Sequence, residues 1–326
     1  MSAAPSRLLF GLIPWYSFLI VLGAAAAIFL AVCEEKRTGL KKDTVLDFSL
    51  VVLPCGIIGA RIYYVVFSWP QFKDNLISAL KIWEGGIAIY GGIIAGLITA
   101  WIFCRVRRIS FFTLCDLIAP GLILAQAIGR WGNYFNQECY GLSVVNPSFQ
   151  FFPFAVRILS EKGFEWHMAT FFYESLWNAL VFIFLLFTRR RWFIYRGDVF
   201  CFYAFLYACG RSVIEDLRTD SLYASSSVRI SQLLSVLIVL MVFLRYIFLF
   251  RKKPSFRSSK VFIALSVALA SDFSLIIWMM NLIRFSAAAP IRFLLLSMCS
   301  ILNIISLFLL YKNCADGECI YADHKS

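Results

Sequence analysis

The chain has 326 residues, of which 61% are hydrophobic and 33 are phenylalanine, with a mean hydropathy of +0.78. Soluble domains sit near roughly 45–50% apolar, so this composition excludes a soluble globular protein. A formal charge of +12 would suit nucleic acid, but the basic residues fall in short clusters between apolar runs, which is the pattern of membrane anchoring; no nucleic-acid partner is expected.

A bilayer span needs about 20 apolar residues. Runs of that kind lie near residues 9 to 32, 45 to 67, 86 to 104, 111 to 129, 169 to 187, 198 to 214, 230 to 250, 261 to 283 and 289 to 311. They predict an all-α polytopic integral membrane protein with about nine spans. With the N-terminus extracytoplasmic, the intervening loops and the tail assigned to the cytoplasm hold 19 of the 31 Lys and Arg residues, so the positive-inside rule supports this orientation and a cytoplasmic C-terminus.

The first run carries Pro14-Trp15-Tyr16, aromatic residues suited to the membrane interface; Tyr16 is alternatively a cavity-lining residue. It lacks the basic flank and the small-residue cleavage site of a secretory signal. In the second run, Gly56, Gly59 and Ala60 permit close helix approach, and Arg61, inside apolar sequence, requires a partner or a cavity. The stretch from Gly85 to Gly92 sets Tyr90 between glycine pairs, a composition that suits close backbone packing or an irregular helix start.

Residues 129 to 141 then close an apolar run with Arg130, Asn133, Asn136, Gln137 and Glu138. Snorkelling explains a lone arginine, but not two asparagines beside it, and polar clusters at membrane depth mark functional sites. Residues 142 to 168, too apolar for a solvated linker, predict a small extracytoplasmic cap ending at His167, whose near-neutral titration suits proton transfer. A structural role is the alternative. Glu174 starts the next run and requires a partner or a cavity.

A second charged cluster follows at Arg211, Glu215 and Arg218, spaced four then three, which predicts one helical face. Arginines from two helices emerging on one side can converge on a single anion, and a phosphate whose acyl chains stay in the bilayer is the natural ligand. Farther on, Asp272 has Arg284 as its candidate partner. Most of the ten cysteines sit singly in apolar runs as small buried hydrophobes. Cys314 and Cys319 lack a second pair, and His324 alone does not complete a metal site, so neither metal nor cofactor is expected.

At these residues the chain resembles the prolipoprotein diacylglyceryl transferase family of bacterial inner membranes. The likeness runs from about Tyr16 to Leu240, through Gly59-Ala-Arg-Ile-Tyr-Tyr, Trp83-Glu-Gly-Gly-Ile-Ala-Ile-Tyr-Gly-Gly, Gly129-Arg-Trp-Gly-Asn-Tyr-Phe-Asn-Gln-Glu, Tyr173-Glu and the segment from Arg211 to Leu222. It implies a transferase domain over residues 1 to 250, with about seven transmembrane helices and the cap at about 138 to 168. Residues 251 to 326 are then an extension with about two further helices and a short cytoplasmic tail. The implied reaction moves the diacylglyceryl group of phosphatidylglycerol to the lipobox cysteine thiol in the signal peptide of a prolipoprotein, releasing glycerol phosphate.

The resemblance also implies the site. Arg130 and Arg211 are its phosphate residues, Asn133, Glu138 and Gly141 shape it, Glu215 and Arg218 support Arg211, and Tyr16 and Arg61 face the lipid. Tyr90, Glu138, His167 and Glu174 stay open as acceptors of the thiol proton. Tyr90 stands where many members carry histidine, and Met168 stands where a proline usually follows the motif histidine. Two other readings compete: a transporter or flippase of an anionic lipid-like substrate, and a membrane scaffold. The first predicts an internal repeat with paired interrupted helices, whereas the two arginine motifs differ; the second has no need of two arginine motifs on one side.

Overall fold

The computed structural model describes residues 5–73, 75–160, 163–222, 229–279 and 289–315. Cys319, His324 and Arg284 lie outside the described residues. Nine α-helices carry the fold among those described: α1 (Trp15–Glu35), α2 (Thr44–Phe67), α3 (Ile89–Arg107), α4 (Phe111–Asn136), α5 (Thr170–Thr188), α6 (Asp198–Leu217), α7 (Ile230–Phe250), α8 (Ser259–Met279) and α9 (Ala289–Cys314). Seven of them, all except α6 and α8, are long and apolar enough to cross a membrane; the protein is a multi-pass membrane protein.

Two helix ends depart from the apolar runs. Residues 8 to 14 precede α1 as a small antiparallel hairpin, β1 (Leu8–Leu9) with β2 (Ile13–Pro14), because Phe10 and Gly11 turn the chain at positive φ. At the other extreme α4 runs on past Gly129 to Asn136. Hydropathy ends a helix where polar residues begin, but the backbone stays helical wherever those side chains find partners.

Contacts divide the chain into two units, Met1–Ala27 with Ala119–Ser326, and Ile28–Ile118. In the smaller, α2 and α3 pack closely: Gly91 meets the Gly59 backbone, and a Cβ on Gly59 would overlap Ala95. Phe48, Ala100, Phe103, Cys104 and Leu114 form a core there. Glu35, only 3% exposed, accepts hydrogen bonds from the backbone N–H groups of Asp43 (3.0 Å) and Val45 (2.7 Å), which satisfies donors left open at the start of α2.

In the larger unit, α5, α6, α7, α8 and α9 surround one core containing Phe202, Phe205, Phe243, Tyr246, Leu307 and Tyr311. Asp198, fully buried at the start of α6, fastens these helices together. It accepts from Tyr195 N–H (2.9 Å), the Arg245 guanidinium (2.9 Å), Tyr246 O–H (2.9 Å) and Tyr311 O–H (2.6 Å). Four donors, one of them cationic, satisfy a buried carboxylate that would otherwise be costly. The extension is therefore part of the core; α9 reaches the base of α6 directly. The same unit carries the hairpin β3 (Ala155–Ser160) with β4 (Gly163–Met168), paired in register from Ala155 opposite Met168 to Ser160 opposite Gly163.

Candidate active site

The site grows from α4, α5 and α6. Arg130 on α4 lies 2.5 Å from Glu174 Oε1, and Arg211 on α6 lies 2.9 Å from Glu174 Oε2. The two arginines converge on one carboxylate supplied by a third helix. Arg211 also pairs with Glu215 one turn along α6, and Ser231 Oγ on α7 donates to Glu215 Oε1 (3.1 Å) while accepting from Arg211 (3.5 Å). Tyr207, one turn before Arg211, lies beside Arg130. Two cations thus face two carboxylates. Glu174 and Glu215 are almost wholly enclosed, at 3% and 1% exposure, whereas 21% of the Arg130 side chain remains open, so an anion entering the site meets arginine first.

Small residues and an indole bring these helices close enough to meet. Trp177 donates its Nε1–H to the Leu206 carbonyl (2.9 Å) across Gly210, and a Cβ on Gly210 would overlap that ring. Trp131 donates to Ser175 Oγ (3.1 Å), which donates to the Ala127 carbonyl (2.8 Å), fixing α4 against α5. Gly132 leaves room for Tyr16, whose ring would lie 2.8 Å from a Cβ there. Trp15 stacks on Phe135 with ring centres 4.6 Å apart.

Beyond α4 the chain turns at Gln137 and Cys139, both at positive φ. Asn133 and Asn136 donate their amides to Glu138 Oε1 (2.9 and 3.3 Å). The next residues form a further rung: Gly141 N–H donates to Met168 O (2.9 Å), Leu142 N–H to Leu217 O (3.0 Å), and Gly141 pairs with Arg218 as an isolated bridge. His167 donates from Nδ1 to the Gly141 carbonyl (2.9 Å) and has Glu165 3.5 Å from Nε2. It ties this loop to β4 and touches neither arginine among the described residues. A Cβ on Gly141 would come within 2.8 Å of Met168 and Thr170 and 2.9 Å of Leu217 O. Gly141→Ala is therefore expected to cost about 1–3 kcal/mol by overpacking and to lower activity further by shifting the loop of Glu138; the unfolding midpoint and turnover of the purified variant measure both.

Arg218 departs from the single helical face that its spacing predicts. α6 ends at Leu217 and Arg218 turns into extended backbone, so its side chain leaves the Arg211 face. It pairs instead with Asp220 (2.8 and 3.0 Å) and donates to Cys139 Sγ (3.0 Å). Burial pushes the Cys139 thiol up to about 11, against the lowering field of Arg218, which keeps this cysteine protonated and poorly nucleophilic at neutral pH. Burial also raises Asp220, but its hydrogen bonds and the charge of Arg218 outweigh this and leave the carboxyl below its ordinary range.

In the smaller unit, Arg61 is 7% exposed and spends all five of its N–H donors on backbone carbonyls. Nε reaches Ala79, Nη1 reaches Gly85 and Gly86, and Nη2 reaches Ser78 and Lys81, at 2.5 to 3.2 Å. A guanidinium has five such donors, so none is left for an anion. Tyr90 opens α3, its ring 6.4 Å from that of Tyr63. Sequence reasoning missed Tyr207, Ser231, Cys139 and Asp220. The four-residue spacing of Tyr207 from Arg211 was a usable signal; Ser231 and Cys139 offered none.

The family model described as prolipoprotein diacylglyceryl transferase matches residues 7–248. Among curated proteins, the phosphatidylglycerol–prolipoprotein diacylglyceryl transferase of Streptococcus suis (strain 05ZYH33) is 45% identical over 229 residues, covering 70% of this chain and 85% of the relative. That of Enterococcus faecalis is 46% identical over 232 residues, 70% and 84% of the two chains, and that of Oceanobacillus iheyensis is 45% identical over 232 residues, 69% and 80%. With a match over most of its length and relatives at this identity, the chain belongs to the prolipoprotein diacylglyceryl transferase family.

Proposed function

We propose that this protein transfers the diacylglyceryl group of phosphatidylglycerol to the thiol of a lipobox cysteine in the signal peptide of a prolipoprotein. The convergence of Arg130 and Arg211 on the enclosed Glu174 carries this reading. It brings two guanidinium groups together where α4, α5 and α6 meet, a place for a phospholipid phosphate whose acyl chains remain in the bilayer. The sulfur forms a bond to the diacylglyceryl carbon as that carbon's C–O bond to phosphate breaks, and glycerol phosphate leaves with the electron pair. Charge grows on the phosphate through this step, and arginines held in place beforehand stabilise it without reorganisation.

Glu174 and Glu215 hold both guanidinium groups in fixed orientation. Asn178, one turn along α5 on the face of Glu174 and fully buried, has neither amide atom bonded among the described residues; it offers the glycerol ester region a polar neighbour. Arg61 holds the 78–86 loop, and His167 holds the cap. The chain lies in the bacterial cytoplasmic membrane with the arginine site on the outer side and the N-terminus outside.

Thiol deprotonation needs no strong base in this scheme. A cysteine near pKa 8.5 is a few per cent ionised at neutral pH, and the arginine pair raises that fraction. Tyr90 then positions substrate. Tyr90→Phe is expected to keep measurable transfer while Tyr90→Ala loses more; a Phe variant as inactive as Arg130→Ala would make Tyr90 the base. Purified protein incubated with labelled phosphatidylglycerol and a lipobox peptide tests the function itself. Label appearing in peptide supports it, and label crossing vesicles without reaching peptide would favour a flippase.

A further inference from the structure

A second polar site lies in the larger unit, one helical turn along α7 from Ser231, where the C-terminal hairpin meets α6 and α7. A small cavity there is lined by Ser212 of α6, Ser235 of α7, Asp272 of α8, and Ser300 and Asn303 of α9, with Cys209 and apolar side chains completing the wall. It offers about 10 Å³ to the centre of a water-sized sphere, room for roughly one small occupant. The family match ends at residue 248, so three of these five polar side chains come from outside it.

The hydrogen bonds decide what the occupant must be. Ser212 and Ser300 each donate to the Cys209 carbonyl (2.9 and 3.2 Å) and lie 3.3 Å apart; Ser235 donates to the Ser231 carbonyl (2.8 Å). Whichever way the first two share, all three hydroxyl protons are spent on acceptors in the wall. The Asn303 amide donates to Asp272 Oδ1 (2.9 Å). What remains is lone pairs: Asp272 Oδ2 and Asn303 Oδ1 are both buried without a donor among the described residues. Asp272 is 2% exposed and Asn303 1%. A buried carboxylate is costly without compensating charge, and the partner shown for Asp272 among the described residues is the neutral Asn303 amide.

We propose that this cavity binds one sodium ion, held by Asp272, Asn303 and the hydroxyl oxygens of Ser212, Ser235 and Ser300. Oxygen-only donor sets suit hard cations, and a single carboxylate balances a single positive charge where a divalent ion would leave an excess. The ion joins the extension to α6, the helix that carries Arg211, and so stabilises the packed hairpin.

The unfolding midpoint of the full-length protein in detergent, measured as NaCl replaces choline chloride at constant ionic strength, tests this. A saturable rise of roughly 2–4 °C is expected, as for a ligand that binds only the folded state, together with one ²²Na⁺ bound per chain. Asp272→Asn is expected to abolish both. Ser235→Ala, which removes one lining oxygen and leaves Asp272 and Asn303 in place, is expected to move the sodium midpoint roughly tenfold higher; it keeps the test decisive if Asp272→Asn fails to fold. Equal midpoints in sodium and choline with no bound ²²Na⁺, or a sodium response undiminished in both variants, would overturn the site and assign the cavity to water.

Discussion

Arg130→Ala and Arg211→Ala are each expected to lower the transfer rate by about 10²–10³-fold, the loss of about 2.7–4 kcal/mol typical for one preorganised contact to developing charge. Two consequences separate this from general damage. Each variant leaves the buried Glu174 with one arginine in place of two, so stability falls as well, and the unfolding midpoint must be read beside the rate. Lysine at either position restores the charge without the planar fork that reaches Glu174 and a phosphate together, and is expected to recover only part of the rate. Glu174→Gln supplies the complementary test, because it retains the size of the side chain while releasing one negative charge between the arginines. Near-normal turnover in either alanine variant, with insertion intact, would remove the phosphate site from Arg130 and Arg211.

A chain ending at Phe250 is expected to lose about 10 °C or more in unfolding midpoint while retaining transfer in native membranes. The chemistry stays because Arg130, Glu174, Arg211, Glu215 and Ser231 all precede the cut. Stability does not. Truncation removes the Tyr311 hydroxyl from Asp198, a hydrogen bond to a charged group worth about 1.5–3 kcal/mol. It also removes the fully buried Leu307 and Leu310, each worth about 2–5 kcal/mol when truncated. At about 2–4 °C per kcal/mol for a domain of this size, these losses account for the shift. The sequence places none of the arginine motifs in the extension; in the structure Asp272 accepts from Asn303, its candidate partner Arg284 lies outside the described residues, and the hairpin is packed into the core. An unchanged midpoint would contradict that packing, and complete loss of activity in membranes would give the hairpin a part in the chemistry.

The sequence by itself determined seven of its nine expected spans, all but the runs that form α6 and α8, and the site's ingredients. Apolar length is a local, additive property, so the run at 230 to 250 coincides with α7 (Ile230–Phe250). Buried charge is equally local in its demand: Arg61, Arg130, Glu174 and Arg211 each announce, inside apolar sequence, that a partner must exist. Helical spacing finds that partner only within one turn, as it does for Arg211 with Glu215. Tertiary structure decided the remaining pairings. Arg130 meets Glu174 and Asp198 meets Tyr311 across separations of 44 and 113 residues, which no periodicity reports. The same limit explains Arg61 and Arg218. One is consumed by carbonyls of a loop that the sequence shows only as a loop, and the other leaves its predicted face because the helix stops one residue before it. Where a chain ends its helix and which carbonyls a guanidinium reaches are set by the packing of distant segments, and that packing exists only in three dimensions.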